Sequence, residues 1–156
     1  MMQTIHFLTA KHARELLSRI SEQWGGDHSY LLEDYALAQT NEGKVYRISR
    51  DVEKMNLEHK KLNTVGMYLA DVDEHNVRLS IEGAQLVGKN ADKNILELDE
   101  TQTRQWLAGM EVETRTELQG FVIVKFKQDI IGCGRVGKGI LYNFVPKNRR
   151  VKELLL

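Results

Sequence analysis

Residues 132–139 read Gly-Cys-Gly-Arg-Val-Gly-Lys-Gly, GCGRVGKG. Gly132, Gly134 and Gly137 have the spacing of a dinucleotide loop, and Gly132 to Lys138 satisfy all but the last position of a phosphate loop. Either loop seats its phosphate on the positive end of a helix that begins at once after it. The next residues here are Ile140-Leu141-Tyr142-Asn143-Phe144-Val145-Pro146. Their β-branched and aromatic side chains favour a strand, which proline then stops. Gly139 also stands where a phosphate loop needs a Ser or Thr for magnesium. The run therefore reads as a β-hairpin. Gly137-Lys138 is its expected two-residue turn, and Gly132 and Gly134 mark a bulge or a close backbone approach.

The flanking sequence agrees with a β-rich unit. GFVIVKF, DIIGCGRV and ILYNFVP carry alternating or continuous apolar residues without helical period. Upstream, NILELD reads as a strand, and Asp99 with Gln102 forms a capping-box pattern opening a helix. Thr103, Trp106, Leu107 and Met110 are its expected inner face, with Gly109 helping to end it. The polar stretch from Gly88 to Asn94 reads as a linker, which divides the chain into units 1–88 and 94–153. In the first unit Thr9 caps a helix whose apolar residues Ala13, Leu16, Leu17, Ile20 and Trp24 share one face, and Gly25-Gly26 stop it. Strands are expected in YLLEDYALAQT, KVYRIS, TVGMYLADV and VRLSIEGAQLV, with Ser49 capping a short helical turn through Asn56. The fold class is α+β: a helix on an antiparallel sheet, then a β unit with one helix.

Hydrophobic residues make up 42% of the 156 and charged residues 28%, the balance of a folded globular chain. No apolar run approaches the length of a membrane span, and the first residues lack the pattern of a secretory leader, so a cytoplasmic, membrane-free protein is expected. The single cysteine, Cys133, fits a reducing compartment. The net charge of zero hides a split. Residues 120–156 hold eight basic residues against two acidic, a net of +6, which leaves −6 for residues 1–119. Such asymmetry suggests that one half faces a polyanion.

The basic residues Lys125, Arg135, Lys138, Lys147, Arg149, Arg150 and Lys152 are the candidate phosphate contacts, with Asn148 as a polar reader. Tyr142 and Phe144 alternate with Asn143, and one of them would stack on an unpaired base if it faced outward; the favoured expectation places both in the core. Cys133 between two glycines reads as a small buried filler. The histidines His6, His12, His28, His59 and His75 lack metal-ligand spacing, so neither metal nor cofactor is expected.

NILELDETQTRQWLAGMEVE followed by GFVIVKFKQDIIGCGRVGKGILYNFVPKNRRVK resembles a PUA-type RNA-binding domain, a pseudobarrel with one helix between its first strands. The nearer likeness is to the PUA-like module at the C-terminus of Sun-type (Fmu-type) RNA 5-methylcytosine methyltransferases and to a short stand-alone archaeal ribosome-biogenesis protein. NTVGMYLADVDEHNVRLSIEGAQLV is similar to the pre-PUA domain of the nuclear-import-protein type large-subunit biogenesis factors. The resemblance implies RNA binding by the second unit and protein contacts by the first, with an RNA methyltransferase or another biogenesis factor as partner. It does not imply catalysis, because the methyltransferases carry their chemistry in a separate doubly wound domain. The expected function is therefore non-catalytic binding of ribosomal RNA during ribosome biogenesis or rRNA modification. The alternatives are a protein-binding adaptor of an RNA methyltransferase without RNA contact, and a small enzyme on nucleotides or RNA.

Overall fold

The structure, a computed structural model, describes residues 4–53 and 66–151. Strand β1 (Ile5–Phe7) leads into helix α1 (Ala10–Trp24), then β2 (Tyr35–Thr40) and β3 (Lys44–Ser49). A single helical turn, α2 (Arg50–Glu53), comes next; the rest of the turn expected through Asn56 lies outside the described residues. Strands β4 (Gly66–Val72) and β5 (Val77–Leu79) complete a five-stranded antiparallel meander in the order β1-β2-β3-β4-β5. Helix α1 forms as its spacing dictates. The Thr9 side chain accepts the N–H of His12, and Ala13, Leu16, Ile20 and Trp24 are buried. They pack on Leu37, Val45 and Leu69, one face of the meander.

Two expectations for this half fail. Residues 29–32 form a turn of 3-10 helix instead of strand. VRLSIEGAQLV is a strand only over Val77–Leu79, after which helix α3 (Ile81–Val87) begins. The deciding residue is Ser80, whose Oγ accepts the N–H of Gly83 and donates to the carbonyl of Tyr68 at 2.6 Å. The first bond caps the helix and the second fastens its start to β4. Helix α3 packs on β4 and on β9 of the second sheet, so it is the wedge between the two.

The stretch read as a linker is fastened along its length. The backbone N–H groups of Asp92 and Lys93 donate to the Trp24 carbonyl at 2.8 and 3.1 Å, and the Asn94 side chain donates to the Gln23 carbonyl at 2.5 Å. A Cβ on Gly25 would overlap Asp92, and one on Gly26 would overlap Asn90. The glycines that end α1 therefore also let this strap cross it.

The second sheet contains β6 (Ile95–Glu97), β7 (Val112–Glu113), β8 (Gly120–Phe126), β9 (Asp129–Gly137) and β10 (Ile140–Tyr142), ordered β6-β8-β9-β10-β7. Only the β6–β8 pair is parallel. The sheet curls into a half-barrel, and helix α4 (Glu100–Leu107) supplies its filling. Both arms of the expected capping box between Asp99 and Gln102 are present. Trp106 is fully buried among Val122, Val124, Val136, Leu141 and Val145, whereas Met110, expected on the inner face, is 51% exposed. Met110 comes after the positive-φ Gly109, which turns the chain away from the helix axis.

The glycine run resolves as a hairpin, with its turn one residue later than expected. Gly137 pairs with Ile140, so the two loop residues are Lys138 (φ 52) and Gly139 (φ 76). Two consecutive positive φ values are those of a type I′ turn, whose twist suits a tight hairpin. Gly132 lies at a bulge: Val124 faces Gly132 and Lys125 faces Ile130, leaving Ile131 as the extra residue. Gly134 is the close approach, since a Cβ there would stand 2.7 Å from both Trp106 and Leu141. The run leads into β10 and not into a helix, so no phosphate-binding helix end exists there.

The two sheets share a core. Ile123 and Cys133 of the second sheet pack with Leu16, Ile20, Trp24 and Leu69 of the first unit. Gly134→Ala should destabilise the protein by about 1–3 kcal/mol through overpacking against Trp106. Gly137→Ala, where a Cβ would meet only Tyr142 at an ordinary 3.7 Å, should be close to neutral. Urea unfolding of the two variants checks the contrast.

Candidate nucleic-acid interface

The register of β8, β9 and β10 places three side chains in one line. Arg135 is the cross-strand partner of Phe121 on one side and of Tyr142 on the other, so all three share a face of the sheet. Farther along the same face, Cys133 and Ile123 are covered by the first unit; at the next level Arg135 and Tyr142 reach solvent, while Phe121 is half-buried and still packs on the first unit's core. Phe144 joins the line, its ring centre 6.1 Å from that of Phe121.

Tyr142 and Phe144 are each 37% exposed, which corrects the expectation that both are core. The inward positions are taken by Leu141 and Val145, both buried in the half-barrel. Asn143 fixes the intervening chain. Its Nδ2 donates to the Trp106 carbonyl at 2.6 Å, and its Oδ1 accepts the Val145 N–H at 2.6 Å. The segment after β10 is thereby pinned to the end of α4, with its aromatics turned outward.

A residue from the first sheet completes the cluster. The Arg78 guanidinium of β5 stands 4.6 Å from the Phe144 ring centre, a cation–π geometry. Asp71 of β4 holds it in place, accepting from Arg78 at 2.6 Å and from the Tyr68 hydroxyl. Burial works against the Arg78 charge, but the hydrogen bond and charge of Asp71 outweigh it, so Arg78 holds its proton more tightly than usual. Burial and then the Asp71 bond push the Tyr68 hydroxyl well above its ordinary range. The guanidinium is thus permanently charged and oriented before any ligand arrives.

The basic residues expected from the sequence are not all brought here. Arg135 is exposed within the aromatic line, and Lys138 is exposed at the hairpin tip. Lys147 and Asn148 are exposed on the 3-10 turn Lys147–Arg149. Arg149 reaches across to Glu82 of α3 at 2.5 Å, with both side chains roughly half exposed. Arg150 is engaged internally, since its Nε donates to the Val145 carbonyl at 3.1 Å and its guanidinium lies directly over Gly109. Lys125 sits four residues along β8 from Phe121, about 13 Å away at strand rise, beside β6. Lys152 lies outside the described residues. Sequence reading missed Phe121 and Arg78, whose membership depends on strand register and on contact between sheets.

Residues 93–151 match the family model described as Methyltransferase RsmF PUA domain. They form a PUA-type module. The chain is also similar to the ribosomal RNA small subunit methyltransferase F of two strains of Vibrio cholerae serotype O1, at 26% identity over 88 residues in each case. That likeness covers 56% of this chain and 19% of each methyltransferase, so the chain spans about a fifth of the length of these relatives. The module is thus related to the C-terminal part of rRNA methyltransferases, and a PUA-type module implies RNA binding. The pseudobarrel with α4 as its filling, preceded by a helix-on-sheet unit, agrees with the expected pre-PUA plus PUA architecture.

Cys133 is buried, and burial pushes its thiol up to about 12, so it is not a thiolate at neutral pH. Among the described residues, no group of three His, Cys, Asp or Glu side chains could hold a metal ion. No helix among them is long and apolar enough to cross a membrane. Because folding raises the Cys133 pKa, its contribution to stability should be complete below pH 9.0, the unperturbed value, and fall away as pH rises toward about 12. Native protein at pH 8 should accordingly resist alkylation by iodoacetamide and react rapidly once unfolded in urea. Fast labelling of folded protein would contradict the buried placement.

Proposed function

We propose that this chain binds RNA, and ribosomal RNA in particular, through the surface formed by Phe121, Arg135, Tyr142 and Phe144 with Lys138 at its edge. The observation that carries the proposal is the pair of exposed aromatic rings, Tyr142 and Phe144, beside the exposed Arg135 guanidinium, with the half-buried Phe121 ring behind them. Aromatic faces stack on unpaired bases without regard to sequence, while basic side chains between them track the phosphates. Lys147 and Asn148 extend the surface on the neighbouring turn, and Arg149 lends its charge when RNA competes with Glu82. Arg150 and Lys125 serve structure more than contact in this reading. The similarity to rRNA methyltransferases supports rRNA as the ligand, with a role in maturation or modification of the ribosome and no chemistry in this chain.

The rival reading is an adaptor that docks a methyltransferase through residues 1–88, where 13 acidic residues outnumber 10 basic ones, and never touches RNA. The surface separates the two. Fluorescence anisotropy with a labelled single-stranded rRNA segment at several salt concentrations should give a steep log–log slope. Arg135→Ala and Lys138→Ala should each flatten it by about 0.7. Tyr142→Ala or Phe144→Ala should weaken binding by roughly 5- to 100-fold with little change in slope, because stacking displaces no counterions. Absence of binding at low salt would leave the adaptor.

A further inference from the structure

Phe144 stands outside the strands that carry the rest of the surface. Strand β10 ends at Tyr142, its last residue paired with β9, so Phe144 has no cross-strand partner among the described residues to set its ring, as Arg135 has in Tyr142 and Phe121. The Asn143 hydrogen bonds to Trp106 and Val145 fix the backbone on either side and do not reach the ring. The Phe121 ring lies 6.1 Å away, tilted by 31°, and the Arg78 guanidinium stands 4.6 Å from the Phe144 ring centre. A side chain that must be immobilised on binding loses rotamer freedom at that moment, and one that is already held loses less.

Arg78 is itself anchored. It is the cross-strand partner of Asp71 in the β4–β5 pair, and its Nη2 donates to Asp71 Oδ2 at 2.6 Å. The Tyr68 hydroxyl donates to the same oxygen. A guanidinium is planar, so its edge can donate to a carboxylate while its flat side lies on an aromatic face. The carboxylate also balances the charge, and a phosphate would have to compete with Asp71 for this arginine. Phe144 stays 37% exposed under the contact, held without being covered.

We infer, on the RNA-binding reading above, that Arg78 is a positioning residue of the RNA surface: anchored by Asp71, it holds the Phe144 ring ready to stack on an unpaired base and takes no phosphate itself. Phosphates are left to Arg135 and Lys138. The first unit is then part of the RNA site, because Tyr68, Asp71 and Arg78 all belong to its sheet.

The test is a double-mutant cycle on the whole protein, read by fluorescence anisotropy with a labelled single-stranded rRNA segment at several salt concentrations. Arg78→Ala should weaken binding roughly fivefold or more and leave the log–log salt slope unchanged. In a Phe144→Ala background it should cause no further loss, because it acts only through that ring. Asp71→Asn, which releases the guanidinium from its anchor, should weaken binding as well. An Arg78 that held a phosphate would give another pattern: Arg78→Ala would flatten the slope by about 0.7 and still weaken the Phe144→Ala protein, and Asp71→Asn would tighten binding. That pattern overturns the positioning role, and so does an Arg78→Ala protein that binds like the wild type. NMR of the ¹⁵N-labelled wild type checks the contact without RNA. The Phe144 ring should shift the Arg78 Nε–H resonance upfield, and Phe144→Leu should return it; an unshifted resonance also overturns the role. If the wild type does not bind at low salt, the RNA-binding reading falls and takes this role with it, even where the NMR contact is present.

Discussion

The contact between Trp106 and the glycine-bare stretch of β9 is the constraint on which the second unit depends. The indole fits only because Gly134 has no side chain, and it fills the half-barrel together with Val122, Val136 and Leu141. Truncating such a residue costs about 3–5 kcal/mol, a large share of the stability of an ordinary domain. The same packing settles which way the neighbouring strands face. Once Leu141 and Val145 point at Trp106, Tyr142 faces solvent, and Asn143, bonded to the Trp106 carbonyl, fixes the segment on which Phe144 stands. The exposed aromatics are thus a consequence of how the interior is filled.

The junction between the sheets matters equally for function. Helix α3 is wedged between β4 and β9, and the strap over residues 88–94 is hydrogen-bonded to the end of α1. This tight union brings Arg78 over Phe144. A flexible tether would hold no such arrangement, since an exposed ion pair such as Arg149 with Glu82 contributes only about 0–1 kcal/mol. Shared apolar burial of Ile123 and Cys133 with the α1 core keeps the two sheets together.

Much of this was legible in the residues. Helix α1 announces itself through its apolar spacing, α4 through its capping box, and the hairpin through glycines with no helical pattern after them. The features that escaped depended on competition between local signals or on distant contacts. Helix α3 was hidden because Val77–Leu79 is a genuine strand, and Ser80, which ends it, signals a cap only once the backbone has turned. The hairpin turn slipped by one residue because Lys138 takes a positive φ that sequence would assign to glycine. Within the site, Arg135 and Lys138 stand out as basic residues in a hairpin. Phe121 and Arg78 do not, because nothing local distinguishes a ring that meets an arginine across strands from one that fills a core. Arg150 shows the reverse case, a basic residue drawn into structure by a carbonyl and a glycine.

Ultraviolet cross-linking of the intact protein to a single-stranded rRNA segment, with peptide mapping of the adducts, would locate the RNA on this surface. Adducts are expected on Phe121, Tyr142 or Phe144. Adducts confined to the first sheet away from Arg78, or to the 147–150 turn alone, would contradict that placement.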